Sequence, residues 1–261
     1  MTFQDWIFSN YKPGDEYSGQ WKFLHIVTLC VCIGIILALT FLFRKKKQST
    51  RENILKILAL FILFFELARR IINLFKGSAV DWHSALYILL PRPWCAISCW
   101  LLIISAVCKK KTFWNVSAIN ALLCSIVFFA YPAVGFNHKH LLFENIYSIT
   151  THALLLISSV CILTLHIGDF RYKRERFQDG FLQELILLAI IFIYTRAEIA
   201  LDLSIDPLYF LPMAENEAQA IVGLGNTAYV TLYTIFLCVW INAFYTIPLL
   251  YQKYHKKANH V

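Results

Sequence analysis

Seven stretches of mostly apolar residues, each about 20 long, account for most of this 261-residue chain: 23–43, 54–74, 84–107, 114–134, 145–165, 181–201 and 228–250. A helix rising about 1.5 Å per residue needs roughly 20 residues to cross a hydrocarbon core of about 30 Å. Backbone amides find no water inside that core, so a single run that crosses it must be helical. The spacing therefore predicts an all-α, polytopic membrane bundle of about seven transmembrane helices. Composition agrees. Hydrophobic residues make up 59% of the chain and charged residues only 15%, against roughly 25% charged in soluble domains. The expected organisation is an extracytoplasmic N-terminal segment over 1–22, a seven-helix transmembrane domain over 23–250 and a basic cytoplasmic tail over 251–261. The opening residues, MTFQDWIFSN, lack the basic region of a cleaved signal peptide, so the first span is expected to stay as an anchor.

The formal net charge of +8 is unevenly spread. Lys and Arg cluster at 44–47, 51 and 56, at 109–111, at 171–176 and at 253–257, whereas the alternate connections hold only Lys12, Lys22, Lys76 and Lys139. Such alternation follows the positive-inside rule and predicts a cell-membrane protein with its N-terminus outside and its C-terminus in the cytoplasm. The basic excess then reads as a topology device that also favours anionic lipid. Membrane phospholipids are the expected partners, and nucleic acid is not.

Four further arginines, Arg69, Arg70, Arg92 and Arg196, fall inside spans. A charge in the membrane is costly unless paired or facing a cavity, which makes each a functional hypothesis. The predicted topology gathers them. Glu66, Arg69, Arg70 and Asn73 lie in the outer half of the second span, and Arg92 and Cys95 in that of the third. His152 lies early in the fifth, and Thr195, Arg196, Glu198 and Asp202 late in the sixth. Polar residues from four spans thus reach one depth, as around a wet cavity open to the outer face. Glu66 and Arg70 stand at i,i+4, where an ion pair forms within a helix. That pair either neutralises itself or serves the cavity.

The third span contains LLPRPWCAIS at 89–98. Proline lacks an N–H and disfavours helix in the residue before it, so Pro91 and Pro93 are expected to break this span. Pro93 suits the first position of a new helix running to about 107, roughly 22 Å long and too short to cross alone. Cys95 would then occupy the first turn of a half-helix beside Arg92. Unpaired N–H groups and a guanidinium both favour a thiolate there. The alternative is a proline kink above an inert thiol.

His152 is the one histidine of eight well inside a span. It reads either as a helix–helix hydrogen-bonding residue or, at the depth of a thiol and a carboxylate, as a general base. None of the eight cysteines forms a CxxC pair, and His138 and His140 have no carboxylate or thiol company. No metal and no cofactor are expected.

Glu66 late in the second span, the LP at 90–91 followed by Cys95, Pro132 closing the fourth span and His152 early in the fifth together resemble the bacterial YwaF-type integral membrane proteins. Those are similar to the eukaryotic transmembrane protein 164 acyltransferases, and more distantly to the androgen-induced lipid hydrolases. The resemblance covers about 20–250. Relatives often read LPxHxC, whereas this chain has Pro93 in place of that histidine. The resemblance implies a nucleophile on the third span and a histidine partner on the fifth, acting on lipid acyl chains, which here are Cys95 and His152. The expected function is a lipid acyltransferase or transacylase, or a lipid hydrolase, with Glu66, Arg70, Arg92 and Glu198 in support. In that scheme Glu66 orients His152 or anchors an arginine, and Arg92 or Arg70 holds a phosphate. The alternatives are a transporter or binding protein for an anionic small molecule or lipid, which broken helices and intramembrane arginines also suit, and a membrane protein without catalysis.

Overall fold

The computed structural model describes residues 6–7, 21–76, 85, 88–89, 94–130, 135–136 and 141–168, together with 232, 235–236, 239–240 and 243–244. The chain divides into two compact units, Met1–Asp169 and Phe170–Val261. Every ordered element described is an α-helix. In the first unit these are α1 (Phe23–Phe43), α2 (Gln48–Lys76), α3 (Trp94–Cys108), α4 (Lys111–Ala130) and α5 (Phe143–Thr164). In the second unit the described residues are helical, and the Trp240 ring stacks on Phe236 at a centroid distance of 6.5 Å and meets Phe244 at a tilt at 5.3 Å. The expected span 181–201, with Arg196 and Glu198, lies outside the described residues, as does most of 228–250.

Among the described residues, three helices are long and apolar enough to cross a membrane: α1, the Phe113–Ala130 portion of α4, and α5. The second expected span departs from that pattern for a visible reason. α2 runs 29 residues, but Lys56, Glu66, Arg69 and Arg70 interrupt its apolar run. Glu66 and Arg70 are tolerated because they pair and are buried, and Arg69 because it reaches Glu144 of α5. Within the third expected span, α3 is described from Trp94 for 15 residues, and Pro91 and Pro93 lie outside the described residues.

Helices α2, α3, α4 and α5 close a ring in which each packs against two neighbours, while α3 and α5 touch lightly across it. α1 packs on the outside of the ring against α5. Most of its side chains face away from the protein, among them Ile26, Val31, Ile33, Leu37 and Phe41, as suits a helix solvated by lipid. The interior of the ring is closely packed. Leu55, Ile62, Leu102, Ile119, Leu155 and Ile162 are almost fully buried.

Small polar residues stitch its seams. The Ser105 hydroxyl donates to the Leu101 carbonyl at 2.7 Å, so its single proton is spent. The 2.6 Å contact between Ser105 and Ser117 must therefore be donated by Ser117. By the same logic Thr164 donates to Val160, and Thr40 donates to Thr164 across 2.9 Å, joining α1 to α5. α3 turns into α4 through Lys109, whose φ of 55° lies in the left-handed region. That conformation ends a helix in one residue and lets the two helices return antiparallel.

Candidate functional site

The polar centre begins with Glu66 on α2, a carboxylate with 0% exposure. It accepts hydrogen bonds from the Arg70 guanidinium one turn on and from the Tyr147 hydroxyl on α5. Arg70 is itself only 6% exposed. Its Nη1 also donates to the Glu66 carbonyl and its Nε to the Leu89 carbonyl, both at 3.0 Å, and its guanidinium lies 5.5 Å above the Trp100 ring. Buried charges persist only when paired and hydrogen-bonded, and this pair meets both conditions. Arg70 thus ties α2 to the segment entering α3, and little of it is left to meet a ligand.

Arg69, the next residue, is placed differently. Its Nε meets Glu144 Oε2 at 3.3 Å, and its guanidinium carbon lies 4.8 Å from the centroid of Tyr147. The side chain retains 30% exposure, and its two terminal amino groups meet no acceptor among the described residues. Glu144 sits in the first turn of α5, where the helix dipole favours a negative charge.

Cys95 is the second residue of α3. The charges within electrostatic reach of its sulfur are those of Arg69 and Glu66. Cys99 and Cys124 lie within electrostatic reach of Cys95, and the Cys124 sulfur is 3.3 Å from the Ser98 hydroxyl. The indole N–H of Trp100 is buried with no acceptor among the described residues.

His152 on α5 is 8% exposed and lies flat against Phe128 of α4, with ring centroids 3.8 Å apart and planes 9° from parallel. Its Nδ1 is 2.7 Å from the Ser148 carbonyl. A carbonyl only accepts, so Nδ1 carries the proton and the lone pair of the neutral ring is on Nε2. Phe128 is pressed onto the histidine by Phe136 and by the close approach of Gly135. His25 completes this aromatic group against Phe129 and Phe136. Its Nδ1 accepts the Trp21 backbone N–H at 3.0 Å, which marks it as a packed core residue.

Of the residues singled out in the sequence, Cys95, His152, Glu66 and Arg70 all face the ring's seams, while Arg92 and Glu198 lie outside the described residues. Glu66, Arg70 and the neighbourhood of Cys95 form one electrostatic group. No hydrogen bond joins His152 to Cys95, and Glu66 does not orient the histidine; the Ser148 carbonyl does. The two are related through α4. Ser98 meets Cys124, and Ser105 meets Ser117, so Cys95 lies level with residue 127, next to the Phe128 that carries His152. At about 1.5 Å per residue, their levels along α4 differ by only about 1.5 Å.

Tyr147, Glu144 and the availability of Arg69 were not foreseen. The available signal was local: Glu144 and Tyr147 stand at i,i+3 on one face of α5, as Glu66 and Arg69 do on α2. Among the described residues no group of three or more His, Cys, Asp or Glu side chains is assembled to hold a metal. No curated protein and no solved structure matches the chain. The TMEM164 family model matches residues 17–246, nearly its whole length, and the chain therefore belongs to the TMEM164 family of membrane proteins.

Proposed function

We propose that this protein transfers acyl groups between membrane lipids, with Cys95 as nucleophile and His152 as its base. The observation that supports this most is the placing of a thiol in the first turn of a short helix, level with a histidine whose Nδ1–H is anchored. The Cys95 sulfur attacks the ester carbonyl of a donor lipid while His152 Nε2 takes the thiol proton. Backbone N–H groups of the first turn of α3 stabilise the oxygen that becomes negative. Collapse expels the donor's alkoxide, which takes the proton back from His152 and leaves an acyl thioester on Cys95. A hydroxyl of a second lipid, deprotonated by Nε2, attacks the thioester. The ester forms and the thiol is regenerated. Water in place of that hydroxyl gives hydrolysis.

Catalytic hydrogen bonds are often long before substrate binds, so the lack of a direct Cys95–His152 hydrogen bond suits a resting site. With the N-terminus outside, the site opens away from cytosolic acyl thioesters, and the donor is another lipid.

The test is acylation of a lysolipid in vesicles reconstituted with the full chain. Cys95→Ala abolishes turnover, and His152→Ala lowers it by about 10²-fold or more, the usual weight of a general base. Undiminished turnover in both variants overturns the mechanism. Trapping of an acyl thioester that vanishes in Cys95→Ser would place the acyl group on the sulfur directly.

A further inference from the structure

Among the described residues, Glu144 and Arg69 are the charged groups of the polar centre that combine unpartnered atoms with substantial exposure. Glu66 and Arg70 are paired with each other and almost fully buried. Arg69, by contrast, is held from one side only. Its Nε is fixed by Glu144 Oε2 at 3.3 Å, and its plane is held 4.8 Å from a Tyr147 ring whose hydroxyl is committed to Glu66. This leaves the paired terminal N–H groups of the guanidinium, the fork that matches a phosphate, without an acceptor among the described residues. Glu144 in turn keeps Oε1 unpartnered among the described residues, on a side chain 36% exposed.

We propose that Arg69 and Glu144 form a cradle for a zwitterionic phospholipid headgroup, the guanidinium taking the phosphate and the carboxylate the amine-derived cation. Charge balance selects the zwitterion. Arg69 and Glu144 sum to zero, as do Glu66 and Arg70, so a bare anion meets no net positive field. A phosphate followed by an ammonium meets one opposite charge for each of its own. The position also fits. The Arg69 charge is felt at Cys95, and a glycerophospholipid carries its ester carbonyls a few bonds from its phosphate. A lipid held by its phosphate at Arg69 therefore hangs its esters toward the thiol. This inference rests on the reading of the protein as lipid-acting, but its test does not need turnover.

The experiment measures equilibrium binding of three radiolabelled lipids with one acyl chain in common: lysophosphatidylcholine, lysophosphatidylglycerol and monoacylglycerol. The protein is the full chain carrying Cys95→Ala in maltoside micelles, so that no lipid is consumed. Lysophosphatidylcholine binds tightest. Arg69→Gln weakens both phosphate-bearing lipids by about tenfold, the scale of one charge-assisted forked contact, and leaves monoacylglycerol unchanged, which also reports an intact fold. Arg69→Lys, which keeps charge but not the fork, falls between. Glu144→Gln removes the preference for lysophosphatidylcholine over lysophosphatidylglycerol. A large excess of inorganic phosphate fails to displace lysophosphatidylcholine; displacement would make free phosphate the ligand and overturn the lipid assignment. Equal weakening of all three lipids by Arg69→Gln, or of none, overturns the cradle. Acyl transfer in the Cys95→Ala protein would sink the thiol mechanism and leave the cradle standing. A required thiol with no selection by Arg69 would do the reverse.

Discussion

Replacing Glu66 with Leu exposes how much the fold depends on one buried pair. The substitution leaves the Arg70 guanidinium in a site only 6% exposed without its counter-charge, and takes away the acceptor of the Tyr147 hydroxyl. Breaking a buried ion pair by removing one partner costs about 3–5 kcal/mol. Arg70 keeps its bonds to the carbonyls of residue 66 and Leu89, each 3.0 Å, so the lower end applies. A loss of about 3 kcal/mol is about two orders of magnitude in the folded-to-unfolded ratio. Arg70→Met should cost a similar amount, because the carboxylate is then stranded. The double variant removes both charges together and should cost less than either single change, since an apolar pair of similar volume is tolerated where an ion pair stood. The assay is reversible unfolding of the reconstituted chain in mixed micelles as the denaturing detergent fraction is raised. Costs below about 1 kcal/mol for the single variants, or a double cost equal to their sum, would refute the claim that the two charges stabilise one another.

Two further outcomes follow from packing. Gly135→Ala puts a methyl group 3.2 Å from Ile149 Cγ1 and against the Phe128 ring that lies on His152; such overpacking costs about 1–3 kcal/mol. Adding Phe128→Leu in the same chain should recover part of that loss in the same unfolding assay, and no recovery would show that the contact is not the cause. Ser105→Ala should destabilise more than Ser117→Ala, because it strands the Ser117 proton, whereas the reverse change leaves Ser105 bonded to Leu101. The difference is about 1 kcal/mol, within the range for one stranded hydroxyl, and the opposite order would mean that the donor assignment is wrong.

The parts of the fold that hydropathy alone determines were legible almost to the residue. The first apolar stretch coincides with α1, and the fifth with α5 to within two residues. α2 was misjudged at its start because Gln48–Asn53 is polar, and nothing in hydropathy tells a polar helical turn from a loop. The expected break at Pro91 and Pro93 lies outside the described residues. The pair Glu66–Arg70 was legible because it is local, being four residues apart on one helix. Contacts that depend on how one helix is registered against another were not. Arg69 finds Glu144 across 75 residues, and Glu66 finds Tyr147 across 81. An aromatic or acidic residue at the end of an apolar run has many uses, so neither partner announces itself. The expectation that Glu66 orients His152 failed on the same point, since the histidine is satisfied within its own helix.

The bond from Arg51 to the Leu165 carbonyl has a consequence when set beside the bond from Arg69 to Glu144. Both arginines belong to α2 and both grip α5, one near each end. Eighteen residues separate them, about 27 Å at about 1.5 Å per residue, close to the roughly 30 Å of a hydrocarbon core. The α2–α5 pair is therefore a ruler with a charged mark at each end. Its matched bilayer is a slightly thin one, and in thicker membranes one mark is drawn into hydrocarbon or the pair must lose tilt. A bilayer thickened by longer lipid chains should therefore strain this pair, and a thinner one relieve it.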